Sequence, residues 1–188
     1  MVYEAFYWLG IAGEAQLTGS ILVTVLVREL TPLLVGFILL GRSGMLTVTE
    51  LGMLQGSGQI RTMFAQGIDP FLYLVLPRTL AFSLSSFTLG IIFAATALVF
   101  GFIISSIIGN IQDSLWTFLG QVLAAMTIQD YMVVPAKLLL IGFLVGLSAC
   151  LTGLTAADDE VLSSLIPRGF VHGILVIMVT SILLTLAA

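Results

Sequence analysis

Charge is what this sequence has least of. Only 9% of its 188 residues are Asp, Glu, Lys or Arg, against roughly a quarter in soluble domains, while 59% are hydrophobic. That balance excludes a soluble globular domain. It also excludes a nucleic-acid-binding face, because six basic residues in a chain of net charge −4 cannot form the basic patch such a face needs. The single cysteine, Cys150, permits no intrachain disulfide and reads as a small packing residue inside an apolar run. The single histidine, His172, has no Cys or carboxylate set beside it, so it reads as a polar anchor at the interface rather than a base or ligand. No zinc, haem or redox spacing occurs, and the adjacent Asp158, Asp159 and Glu160 read as solvated charge rather than a metal shell. A Gly-x-x-x-x-Gly-Lys-Ser/Thr loop is lacking too, so the chain does not hydrolyse ATP itself.

Long apolar runs are what it has. Leu17–Leu40, Leu80–Ile108, Tyr131–Gly153 and Phe170–Leu186 each supply the ~20 apolar residues that a bilayer core requires. The fold class is therefore an all-α integral membrane protein with four transmembrane helices in this chain. The second run would reach ~43 Å as one helix, so it is tilted and overlong or broken near Gly90 or Gly101; one span is the preferred reading over a hairpin of two short helices. Arginine counting sets the orientation. Stretch 41–79 holds Arg42, Arg61 and Arg78 and belongs in the cytoplasm; 109–130 holds Asp113 and Asp130 and no basic residue and belongs outside, with an amphipathic helix on it. Stretch 154–169, with Arg168, returns inside. The opening residues 1–16 carry Glu4 and Glu14 alone and fall outside, which points to one further N-terminal span in the complete architecture.

Stretch 41–79 is longer and more helix-forming than a connector needs, and it reads as a docking element for a soluble partner. Within the first span, Arg28 and Glu29 sit about halfway along. In the third, Lys137 lies six residues in, beside Pro135. An ionisable group at such depth costs at least ~2.5 kcal/mol unless paired or hydrated. Two readings follow: a structural Glu29–Lys137 ion pair tying two helices, or a polar lining of a substrate path. Gly142 and Gly146 form a small-xxx-small pattern suited to close helix packing.

The blocks VRELTPLLVGFILLGRSG (27–44), TELGMLQGSGQI (49–60), GIDPFLYLVLPRTLA (67–81) and AKLLLIGFLVGLSACLTGL (136–154), with the final span, resemble the MlaE/YrbE family, the permease subunits of MCE-type lipid ABC transporters. The resemblance implies a five-span permease that forms a homodimer and moves phospholipid. It implies an ABC ATPase subunit that binds ATP and Mg, an MCE-domain lipid-binding protein on the opposite side, and a STAS-domain accessory protein. No cofactor is expected in this chain. Residues 46–64 correspond to the family's coupling helix, with Glu50, Met53, Gln59, Ile60 and Arg61 facing the ATPase. Arg28, Glu29 and Lys137 would then line the lipid path. Two segments depart from the family: Gly58-Gln59-Ile60-Arg61-Thr62 stands where its pattern reads Glu-Gln-Ile-Asp-Ala, and 154–168 lacks its glycine-rich character. The resemblance places the chain in a bacterial inner membrane, or alternatively in a chloroplast inner envelope. Two other readings of the same residues are an intramembrane lipid-modifying enzyme, which lacks a nucleophile–base pair at plausible spacing, and a proton-coupled secondary transporter, which should show an internal repeat.

Overall fold

The computed structural model describes residues 23–107, 115–126, 128–156 and 162–187. Among these the chain is helical, with no strand. Seven α-helices follow in order: α1 Thr31–Leu39, α2 Met45–Gly56, α3 Gln59–Ala65, α4 Leu76–Ile107, α5 Leu115–Ala125, α6 Ile128–Leu154 and α7 Leu162–Ala187. Three wider π-helical segments join or precede them, at Val23–Leu30, Leu40–Gly44 and Phe71–Val75.

Three of the described helices are long and apolar enough to cross a membrane: Phe71–Ile103, Asp130–Leu154 and Ser164–Leu186. The protein is thus an all-α membrane protein. The first expected span, 17–40, is described only from residue 23, and there it is a π segment running into α1. The second is one helix of 32 residues that passes Gly90 and Gly101 without a break. At ~48 Å it exceeds the ~30 Å hydrocarbon core and must tilt or protrude. The last begins eight residues earlier than its apolar run, with Pro167 inside it, so Arg168 and His172 stand on helix α7 rather than on a loop or at a helix start.

Helix α6 is the centre of the bundle. Half of its spanning window is buried, against 22% for α4 and 28% for α7, and it packs on α1, α2, α4 and α7. Glycine brings α4 and α6 together. A Cβ on Gly142 would meet Ser86 Cβ at 2.5 Å and the Phe82 carbonyl at 2.7 Å, and one on Gly146 would meet Phe82 Cβ at 2.9 Å. The small-xxx-small pattern is therefore a true helix-crossing site. Around it Leu39, Leu40, Phe82, Ile141, Val145 and Ile177 form the main apolar core. On the outer surface α4 and α7 expose Leu84, Ile91, Ile92, Phe100, Leu175 and Leu183. Such a face is stable only against hydrocarbon or another apolar surface.

The stretch 41–79 differs from the expected loop with one helix over 46–64. The backbone stays helical from 31 through 56, since Leu40 and Gly44 both keep right-handed helical angles. Helix α2 thus continues the preceding span as a buried prong. Val48 and Leu51 are fully buried on it, against Gly153 and Gly169 of the neighbouring helices. Gly52, read from sequence only as a helix-weakening residue, is a contact position, because a Cβ there would meet Leu165 Cδ2 at 2.5 Å. The helix stops at Gly58, whose φ of 73° is left-handed and suited to glycine. Short α3 follows, then a second left-handed turn at Gly67. Asp69 Oδ1 accepts the Phe71 N–H at 2.9 Å, and Pro70 opens the helical run into α4, which gives Gly-Ile-Asp-Pro its role as a helix start.

Candidate functional site

At the end of the bundle where α6 begins and α7 finishes, the structure brings Arg28, Glu29 and Lys137 together. Lys137 is 1% exposed, the largest fully buried side chain described. Its Nζ donates to Glu29 Oε2 at 2.9 Å, to Thr185 Oγ1 at 2.9 Å and to the Arg28 carbonyl at 3.2 Å, so all three ammonium protons are used. The single hydroxyl proton of Thr185 can go to Glu29, 3.0 and 3.1 Å away, or to the Ser181 carbonyl at 2.8 Å. Beside this cluster a cleft of about 300 Å³ is lined by Glu29, Leu33, Met178, Ser181, Ile182 and Thr185. It is nearly all apolar except for the carboxylate, the serine and the threonine. A site of this kind can hold a molecule with a greasy body and a charged head.

Sequence reading missed two members of the cluster. Asp130, assigned to an external loop, lies in the first turn of α6, is 6% exposed and stands 3.7 Å from Arg28 Nη1. The signal was available: seven residues separate Asp130 from Lys137, two helical turns, which sets both on one face. The start of α6 at Ile128 also puts Lys137 nine residues into its helix rather than six, ~14 Å along it. Thr185 carried no sequence signal, being one of several hydroxyls on an apolar helix.

The opposite end of the bundle holds the expected coupling residues. Glu50, Met53 and Gln59 line one recess of about 420 Å³, together with Leu54, Ser57 and Arg78. Met53 is 52% exposed, and Gln59 and Arg61 are exposed as well. Arg61 does not line the recess. Ile60 is a correction: it is 5% exposed and turned into the protein, so it anchors α3 and presents nothing to a partner. Arg78 is an addition. Its Nη1 lies 3.0 Å from Glu50 Oε2, yet the angles form no hydrogen bond and that nitrogen is buried without one. A third cleft, of about 380 Å³, takes in Thr152, Thr155, Arg168 and His172. The acidic residues Asp158, Asp159 and Glu160 lie outside the described residues.

Comparison with known proteins matches residues 1–187 to the family model "Permease MlaE". The chain belongs to the MlaE permease family. It is 25% identical over 142 residues to a probable ABC transporter permease protein, ycf63, of Pyropia yezoensis, covering 76% of this chain and 53% of that protein. It is 29% identical over 143 residues to a probable ABC transporter permease protein, slr1045, of Synechocystis, covering 76% and 54%. It is 34% identical over 103 residues to the chloroplastic protein TRIGALACTOSYLDIACYLGLYCEROL 1 of Arabidopsis thaliana, covering 51% and 29%. The chain spans about half the length of the first two. As a member of the MlaE family it has at opposite ends a buried charge cluster beside an apolar cleft and an exposed recess rimmed by Glu50 and Arg78.

Proposed function

We propose that this chain is the permease subunit of an ABC transporter that moves phospholipid between the membrane and an external MCE-domain carrier. ATP and Mg are bound by a separate ATPase subunit. The observation that carries the lipid reading is Glu29, which with Thr185 lines an apolar cleft while paired with Lys137, itself 1% exposed and not on the cleft wall. A phospholipid is amphipathic, and a path for it needs charge next to hydrocarbon in one space. A purely structural ion pair has no need of the adjoining cleft. The other half of the reading is the recess of Glu50, Met53 and Gln59, where an ATPase would seat and push on α2. Because α2 is continuous with α1 and buried against α6 and α7, a push there moves spans as a rigid body. In the working assembly two copies pair as a homodimer, the MCE ring sits at the α5 end, and a STAS-domain protein accompanies the ATPase. The membrane is a bacterial inner membrane, with a chloroplast inner envelope as the other placement.

The double variant Glu29→Leu with Lys137→Met tests this. Buried pairs are often replaceable by apolar residues without loss of stability, whereas a path loses its polar wall. The expected outcome is normal assembly and ATPase binding with lipid transport lowered roughly tenfold, equivalent to about 1.4 kcal/mol. A well-assembled double variant that transports at the normal rate refutes the path.

A further inference from the structure

Lys137 is the one lysine in the chain, and its Nζ uses a main-chain oxygen as its third acceptor. That oxygen is the Arg28 carbonyl, 3.2 Å away, beside Glu29 and Thr185 at 2.9 Å each. A carbonyl inside an α-helix is normally closed by the N–H four residues on. For Arg28 that residue is Pro32, and a proline has no N–H, while its ring crowds the carbonyl four residues back. Pro32 is buried in the first turn of α1, and the wide π segment gives way to α1 just ahead of it, between Leu30 and Thr31. The turn before the change also takes a second side-chain donor, since Thr31 Oγ1 donates to the Leu26 carbonyl at 2.9 Å. One carbonyl of this turn is thus served from within the run, and the other by Lys137, 109 residues away.

We infer that Pro32 is a positioning residue: by withholding an N–H it leaves the Arg28 carbonyl open to Lys137, and so fixes where the ammonium stands against Glu29. A donor at position 32 would draw that carbonyl back along the helix axis. The 3.2 Å bond is the longest of the three and stands at the outer limit of an N–H···O contact, so it is the one that would be lost. The ammonium would then turn on its two remaining partners, and with it the carboxylate that lines the cleft. The inference rests on the proposed function for its transport readout alone; the lysine itself reports the rest.

Because there is one lysine, an isotope label on lysine Nζ gives a single side-chain ammonium signal in magnetic resonance of the full-length protein in detergent. Pro32→Ala supplies the missing N–H. Lactic acid at position 32, placed by nonsense suppression, carries the methyl of alanine but puts an ester oxygen where the N–H would be. Both lose the ring, so they differ at the donor. Pro32→Ala should displace the ammonium signal, speed its proton exchange with water roughly tenfold, the scale of one hydrogen bond to a charged group, and lower lipid transport by a similar factor. The ester should behave like the unaltered protein in all three. Pro167→Ala, which removes a proline from inside α7, should leave the signal in place. An unmoved signal or undiminished transport in Pro32→Ala overturns the inference. So does an ester variant that behaves like Pro32→Ala, which would make the ring the cause, or a Pro167→Ala signal displaced as far. A lysine signal that follows the donor, in a protein that moves no lipid even when unaltered, would support the placing of Lys137 by Pro32 while ending the permease reading.

Discussion

Glu50 and Arg78 show how one ion pair can matter to coupling while contributing little to stability. Glu50 is 46% exposed at its side chain and Arg78 29%, so solvent screens the pair and its worth is at most ~1 kcal/mol. Yet it joins the middle of α2 to the start of α4 across the recess where an ATPase would seat. Glu50→Gln should therefore leave the thermal midpoint in detergent nearly unchanged while lipid transport per ATP hydrolysed falls. Arg78→Gln should do the same, and the charge swap Glu50→Arg with Arg78→Glu should restore part of the ratio. Variants that keep a normal transport-to-hydrolysis ratio would show that Glu50 is only a surface charge. Lys137 is the opposite case: it is 1% exposed against 30% for the Glu29 side chain, so removing it alone opens a hole in the bundle and leaves a half-buried carboxylate uncompensated. That is why the double replacement is the informative experiment there.

At the scale of elements, glycine has two separable uses in this chain. Gly146 is a contact position whose added Cβ would meet Phe82 Cβ and Cγ at 2.9 and 3.0 Å, so Gly146→Leu should force α4 and α6 apart. A loss of ~1–3 kcal/mol is the usual scale of overpacking. Gly56 has open space around a Cβ and lies within α2, so Gly56→Ala should stabilise by ~0.5–1 kcal/mol. Thermal unfolding of both variants in detergent checks the pair, and the same sign for both would mean that packing does not govern the α4–α6 crossing. Much of this level was legible in the sequence: the spans from their apolar runs, the crossing from Gly142 and Gly146, and the Glu29–Lys137 meeting from the cost of burying charge. What was not legible is where helices continue through polar sequence. Leu-Gly-Arg-Ser-Gly at 40–44 has the composition of a loop, but it keeps helical angles because Leu40 and Gly44 are buried by the packing of the whole bundle. Asp130 was missed for a related reason: composition placed it in a loop, whereas it stands in the first turn of α6, where the helix dipole favours a carboxylate and Arg28 faces it.

For the molecule as a whole, the two ends should face different compartments. Arg61, Arg78 and Arg168 mark the α2–α3 end, which arginine counting places in the cytoplasm. Cys150 is fully buried, so it gives little background in thiol labelling. An impermeant reagent added to sealed cells should modify Trp116→Cys, at a position 81% exposed on α5, and spare Ser57→Cys until the membrane is opened. Labelling of Ser57→Cys from outside would invert the arrangement and put the recess out of an ATPase's reach. The buried Lys137 has one more consequence, and it concerns how the chain is made. Glu29 leaves the ribosome more than a hundred residues before Lys137, and Thr185 leaves 48 residues after it. The carboxylate must therefore wait in or near the membrane until α6 delivers its ammonium, and that ammonium must wait in turn for α7 to bring its third partner. Each intermediate holds an ionised group short of partners, which costs at least ~2.5 kcal/mol at bilayer depth. Biogenesis is thereby biased to hold these segments together at the insertion machinery and release them as a set, and a chain stopped before α7 would be a natural substrate for membrane proteases.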